Sequence, residues 1–317
     1  MERRFLITGA LGAIGVWTMR ALLDAGHAVV ALDVAGGGHR LPIALEQEQI
    51  AALVRVQGDI TDLGVVERAI DEHAVTDVIH LAALQVPFVR ADPPLGARVN
   101  VVGTVNVLEA VRRRRDRMGA VVYASSIAAY GAAGTLAAGD VPGTLYGVQK
   151  RDNEGSALRY FEDYRVSSIG IRPHTVYGPG RDQGLTSAPT TAMVAAAARV
   201  RYRIPFGGAV QMQYAPDVGA AFARAAQLEL EGAVVHDLGG PAVAMANLVG
   251  MIEGAEPEAA GLITASDEPL PFPGEMDGSA FAALVGDELL RPVADGVADA
   301  LARFHGLLAD GLVKPPR

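Results

Sequence analysis

The 317-residue sequence contains no cysteine. Disulfides, thiolate metal ligands and thiol nucleophiles are thereby excluded together. Its seven histidines never fall at metal-ligand spacing, so no metal site is expected. The opening stretch MERRFLITG passes from charge straight into a short apolar segment, too brief for a secretory h-region or a membrane span. The reducing cytoplasm is the expected compartment. Positive charge is scarce: 27 Lys and Arg against 36 Asp and Glu leave a net charge of −9. That balance argues against nucleic acid or an anionic membrane as the main partner. The one basic run, RRRRDR over Arg112–Arg117, closes an amphipathic stretch, where cations complement a helix C-terminus. Internal repeats and low-complexity linkers are absent, although residues 188–198 and 255–261 are rich in alanine.

Half of the residues are apolar, enough to bury a large core. Up to Arg172 short apolar runs alternate with helical patterns: RFLITG, Ala13–Ala25, AVVALD, LVRVQGD, Leu63–Glu72, DVIHLA, Leu95–Arg113, GAVVYASS, Tyr146–Tyr164 and SSIGIRP. Continuous apolar strands separated by helices predict an α/β fold whose parallel sheet is covered on both faces, a doubly wound (Rossmann) architecture. After Pro173 the rhythm gives way to Gly- and Pro-rich loops, with helices near Thr190–Arg199 and after Asp217. The expected division is a dinucleotide-binding domain over 1–175, with strands returning near 209–240, and a smaller C-terminal substrate-binding lobe over 176–317. Val293, Val297, Leu301, Phe304 and Leu308 form one stripe of a final amphipathic helix.

TGALGAIG follows the first strand and opens the first helix. In that setting Gly9 permits a tight turn, Gly12 lets the backbone approach a pyrophosphate, and Gly15 allows close packing of helix on strand. The second strand ends in Asp33, where a carboxylate can accept from both ribose hydroxyls and repel a 2′-phosphate, favouring NAD over NADP. In GDI, Asp59 can meet an adenine amino group or simply end a strand. HLAAL supplies small residues against which a cofactor can lie flat, and His80 reads as a satisfied core histidine. LYGVQK sets Tyr146 and Lys150 one helical turn apart on the same face. Alone, that spacing equally fits a tyrosine at a core edge beside a solvated lysine.

Taken in order, TGALGAIG, Asp33, GDI, HLAAL, VNVVGTVNVLEA, YASSIAAYG, YGVQK and IRPHTVYGPGR make the chain similar, over roughly residues 4–240, to the extended short-chain dehydrogenase/reductases, the NAD-dependent epimerase/dehydratase family. The resemblance implies an NAD cofactor held by Gly9, Gly12, Ala13, Ile14 and Gly15, by Asp33, by Asp59 and Ile60, and by Leu81, Ala82 and Ala83. It places Asn100 on backbone or water near the cofactor, and the segment from Pro173 to Val176 against the nicotinamide carboxamide. It also makes Tyr146 the acid/base, Lys150 its electrostatic partner and a ribose ligand, and Ser126 the hydroxyl that holds the substrate oxygen. Chemistry agrees independently, because a phenol of pKa about 10 needs a nearby cation to act as a base at neutral pH. Tyr130 is expected to line the pocket or pack.

Substrate ligands are expected among Gln85, Ser126, Tyr146, Thr175 and Arg181, with pocket walls from Gln85–Arg90, the loop Ala132–Thr144, and Arg181–Thr191. Family members acting on nucleotide sugars carry Asn and Arg where this chain has Thr175 and Val210. The expected activity is therefore NAD-dependent oxidation of a secondary alcohol on a small polyhydroxylated substrate such as a sugar or sugar acid. The alternatives are a sugar-nucleotide epimerase/dehydratase and a non-catalytic dinucleotide sensor, which the intact Tyr/Lys pair disfavours. The resemblance further implies a homodimer through a four-helix bundle formed by residues 95–113 and the Tyr146 helix, with Val99, Val102, Val107 and Leu158 as candidate contact residues.

Overall fold

The computed structural model describes residues 3–131, 133–270, 273–286 and 289–316. Its strands are β1 (Arg4–Thr8), β2 (Ala28–Asp33), β3 (Val54–Gln57), β4 (Asp77–His80), β5 (Val121–Ala124), β6 (Ser168–Arg172), β7 (Thr175–Tyr177), β8 (Tyr202–Ile204), β9 (Ala209–Tyr214), β10 (Ala233–Asp237), β11 (Ala242–Ala244) and β12 (Ile263–Ala265). Seven form one sheet in the order β10-β6-β5-β4-β1-β2-β3, every neighbouring pair parallel. This is the doubly wound α/β sheet expected from the alternation of runs and helices.

Strand chemistry explains the two covered faces. Successive side chains of a strand point to opposite sides, so a strand buried on both sides must be apolar throughout. In β1, Phe5 and Ile7 enter one core and Leu6 the other. In β2, Val29 and Ala31 go one way, and Val30 and Leu32 the opposite way. The helices Ala13–Asp24 and Ala215–Ala225 cover the first face, and Leu63–Glu72 and Gly103–Arg112 the second. Strand order reverses between β1 and β4, which opens a crevice at the carboxyl ends of the strands.

A third core gathers residues from β9, the helix Ala188–Ala197 and the C-terminal helix Val293–Ala309, including Met193, Val210, Val297 and Phe304. The predicted stripe on the last helix thus packs here, and two tyrosines pin it further. Tyr177 Oη donates to Val293 O at 3.2 Å, and Tyr214 Oη donates to Asp299 Oδ2 at 2.6 Å. Of the strands expected to return near 209–240, only β10 joins the large sheet, beside β6; β9 instead pairs with β7 and β11. A short apolar strand carries no mark of which sheet it completes.

The stretch 95–113 is also more broken than its pattern suggests. Pro93–Ala97 and Gly103–Arg112 are α-helical, and a π-helical turn over Arg98–Val102 joins them. Among the described residues no helix is long and apolar enough to cross a membrane, and no three His, Asp or Glu residues cluster as metal ligands would.

Candidate active site

A cavity of about 600 Å³ runs along the crevice from the β2 end to the β6 end. Gly9, at the tight turn after β1, has φ of +67°, and a Cβ there would stand 2.6 Å from the Ala82 backbone. Only glycine lets the two strand ends meet this closely. The helix Ala13–Asp24 then begins with Gly12 at its N-cap and no side chain capping it. Its first-turn residues Ala13, Ile14 and Gly15 line the cavity, offering unfilled amide donors and the positive end of a helix dipole to a pyrophosphate. Asp33 closes this end, its Oδ2 accepting from Leu11 N at 2.9 Å and its Oδ1 from Ala35 N at 3.1 Å. Asp59, Ile60, Leu81, Ala82 and Ala83 line the middle, and Pro173 and Val176 the far end. This set fits a dinucleotide: donors for two phosphates, a carboxylate for a ribose and small apolar walls for flat rings.

At the far end stand Ser126, Tyr146 and Lys150. Thr144 caps the helix that carries Tyr146 and Lys150, Leu145–Tyr164, by accepting from Gly147 N at 3.0 Å. Gly147 itself is buried, and a Cβ there would lie 2.0 Å from Ala128 O. Its bareness brings the helix against the turn Ile127–Ala129, whose N-cap is Ser126, and so brings phenol and hydroxyl together. Burial raises the Tyr146 phenol above its ordinary pKa, while the neighbouring Ser126 hydroxyl and the charge of Arg181 pull it down. Lys150 is buried and donates to Ala124 O at 2.7 Å. Burial lowers its ammonium to about 8, against an upward pull from Glu154.

Glu154 is fixed in turn by Arg172 through two bonds of 2.7 Å, and it accepts from Ser125 Oγ. Tyr130 packs outside the cavity, its Oη donating to Asp237 Oδ2 at 2.7 Å under the Arg172 guanidinium. His80 is a satisfied core histidine, as its sequence setting suggests. Thr104 sends its only O–H to Asn100 O, so its oxygen accepts from His80 Nε2–H at 3.0 Å, and His80 Nδ1 accepts from Thr8 Oγ1 at 2.7 Å. Burial, then the charge of Lys150, holds that imidazole down to about 3.

Asn100 holds backbone beside the cavity, as the resemblance implies, whereas Thr175 has surroundings other than those expected. Asn100 does not line the cavity; its amide exchanges bonds of 2.7 and 2.9 Å with the Leu84 backbone and reaches Gln149 Oε1 at 2.8 Å. It sits inside the π-turn, where its own carbonyl is free to accept from Thr104 and Asn153. Thr175 is fully buried, off the cavity, bonded to His174 Nδ1 at 3.1 Å. Val210 lies in the third core, beside the C-terminal helix. Of the expected pocket loop, Ala132 lies outside the described residues, and 133–144 do not line the cavity; Asp140 folds this loop on itself by accepting from Ala133 and Thr135. Gln85 and Val86 do line it, as do Arg181–Gln183, Leu185 and Thr186.

Arg181 turns inward. Nη1 reaches Gln85 Oε1 at 3.2 Å and Gln183 O, and Nη2 reaches Thr186 Oγ1 at 3.2 Å. All three partners are neutral oxygens, and Nε has none among the described residues. Burial lowers this guanidinium's pKa, and Tyr146 raises it. His174, within the segment expected against the nicotinamide carboxamide, also lines the cavity. Sequence reasoning did not single out Arg40, which lines it too, since it is one polar residue in a loop with no pattern around it.

A model of the NAD dependent epimerase/dehydratase family matches residues 5–236. UDP-glucuronate 4-epimerase 2 of Arabidopsis thaliana is 33% identical over 185 residues, covering 55% of this chain and 42% of that protein. The chain thus spans under half the length of this curated relative. Among solved structures, a partial-consensus L-threonine 3-dehydrogenase is 25% identical with a TM-score of 0.81, over 96% of this chain and 99% of that one. MoeE5 in complex with UDP-glucose and NAD is 26% identical with a TM-score of 0.76, over the same shares of the two chains.

Proposed function

This chain belongs to the NAD-dependent epimerase/dehydratase family, and we propose that it is a dehydrogenase oxidising a secondary alcohol on a small hydroxylated substrate that bears one carboxylate. The observation that carries this reading is Arg181, a half-buried guanidinium that lines the cavity by Tyr146 and bonds only neutral oxygens. The Asp182 carboxylate acts on this charge but is itself bonded to Arg40, so among the described residues Arg181 has no direct ionic partner, and a ligand carboxylate would supply one. One relative acts on such a molecule by its name: L-threonine joins a secondary alcohol to a carboxylate.

NAD, when bound, supplies the hydride acceptor. Gly9, Gly12, Ala13, Ile14 and Gly15 would hold its pyrophosphate, Asp33 its adenosine ribose, and Lys150 the nicotinamide ribose. Ser126 holds the substrate hydroxyl, and Tyr146 removes its proton as carbon–hydrogen cleavage proceeds. Lys150 has three N–H donors; Ala124 O takes one, leaving two for ribose oxygens while its charge favours the phenolate. Arg181 anchors the carboxylate and so orients the alcohol carbon.

The second reading, epimerisation of a nucleotide sugar, is favoured by the UDP-glucuronate relatives. Against it, Thr175 and Val210 offer no amide or cation to a diphosphate, since both are buried away from the cavity. Net NADH formation with a panel of hydroxy amino acids, sugar acids and aldoses separates the two. Turnover of UDP-glucuronate without net NADH would replace the first reading with the second. A homodimer through the helix Leu145–Tyr164 and the segment before Arg113 completes the proposal. Val102 and Leu158 are 47% and 45% exposed there, whereas Val107 is in the core and Val99 lines the cavity.

A further inference from the structure

The segment that carries Arg181 is tied at two points to the cofactor half of the molecule. Trp17, on the helix whose N-terminus faces the pyrophosphate site, donates from Nε1 to Pro179 O at 2.8 Å. The guanidinium of Arg40, from the loop after β2, makes three separate bonds. Nε donates to Gly180 O at 3.0 Å, Nη2 to Asp182 Oδ1 at 2.5 Å, and Nη1 to Leu11 O at 3.1 Å. Two of these partners flank Arg181. The third lies in the glycine turn, and the amide of that same Leu11 donates to Asp33 Oδ2. The Arg40 side chain is only 12% exposed, so its bonds to Gly180 O and Leu11 O are partly shielded from water, while the bond to Asp182, 48% exposed, lies at the surface.

We propose that Arg40 is a positioning residue that makes the placement of Arg181 depend on occupancy of the dinucleotide site. The links are continuous: Asp33 to the Leu11 amide, the Leu11 carbonyl to Arg40, and Arg40 to the residues on either side of Arg181. A ribose drawing on the Asp33 carboxylate and a pyrophosphate pressing on the glycine turn both act on the Leu11 peptide. Arg40 passes that ordering to Gly180 and Asp182. Trp17 supplies the fixed end of the segment, at Pro179, and Arg40 the end that responds. A planar five-donor fork is needed to reach three acceptors in different directions, which lysine cannot reproduce. Cofactor and substrate sites are then coupled, and coupling is reciprocal. The inference takes from the proposed function only that Arg181 faces substrate.

Amide hydrogen exchange of the full-length protein, with and without saturating NAD, tests this without a known substrate. In the wild type NAD should slow exchange across residues 178–186 by about tenfold, alongside protection of residues 9–15. In Arg40→Lys and Asp182→Asn the protection of 9–15 should persist, while the NAD-dependent ratio at 178–186 falls to within about twofold of unity. A merely structural brace would raise exchange at 178–186 equally with and without NAD, leaving the ratio unchanged. That outcome overturns the proposal. So does an absence of protection at 178–186 in the wild type, or loss of protection at 9–15 in Arg40→Lys, which would make Arg40 a cofactor ligand. Failure of the carboxylate reading would leave the exchange ratios untouched.

Discussion

Lys150 donates a hydrogen bond to the carbonyl of Ala124, at the end of β5, while its ammonium stands 5.6 Å from the centre of the Tyr146 ring. The strand end therefore fixes the cation, and the cation's helix fixes the phenol. Tyr146 and Lys150 share one helix, and the bond to Ala124 O ties that helix to the end of β5, so phenol and ammonium keep one spacing.

Tyr146→Phe deletes the proton acceptor and little else. Turnover should fall at least about a hundredfold while NAD affinity stays within about twofold. Steady-state kinetics and calorimetric NAD titration check both. Near-normal turnover would remove Tyr146 from the assigned role.

Ser126 lowers the Tyr146 phenol against the upward effect of burial. Ser126→Ala removes the lowering, so the phenol needs a higher pH to lose its proton. The ascending limb of the kcat/KM–pH profile should move to higher pH in the variant, beyond any uniform loss of rate. An unmoved limb would separate Ser126 from the ionisation of Tyr146.

Lys150 is depressed from 10.5 to about 8 by burial. Below about 8 both folded and unfolded chains carry its proton, and the folded state bears the full penalty of a buried charge. Between about 8 and 10.5 the unfolded chain keeps a proton that the folded one has lost, so stability rises with pH. Lys150→Met should therefore stabilise the cofactor-free protein near neutral pH by roughly 1–3 kcal/mol, net of the lost bond to Ala124 O. The gain should vanish above 10.5. Thermal melts at the two pH values test this, and a Met variant less stable than wild type at neutral pH contradicts it.

A 2′-phosphate beside Asp33 would meet a like charge already engaged with the Leu11 and Ala35 amides. Asp33→Ser should narrow the preference for NAD over NADP by about tenfold or more, as judged by the ratio of the two kcat/KM values. Wild-type preference for NADP would sink the assignment.

For the dimer, Leu158→Asp places a charge on an exposed apolar side chain of the Tyr146 helix. Light scattering at micromolar concentration should give a dimeric mass for the wild type and a monomeric one for the variant. A monomeric wild type would rule the dimer out.

The sequence by itself determined the parallel sheet, the glycine turn and the Tyr146/Lys150 pair. These rest on local periodicity and spacing: both faces of a buried strand must be apolar, and residues four apart share a helix face. It could not determine which sheet β9 would join, that Thr175 would be buried off the cavity, or that Asn100 would sit in a π-turn bracing Leu84. Those depend on packing between elements distant in the chain. Arg40 and Gly180 lie 140 positions apart, and nothing near either marks the bond between them. The same holds for the inward turn of Arg181. A loop arginine can lie in solvent or against a cavity, and only the tertiary arrangement of Gln85, Thr186 and Tyr146 around it decided which.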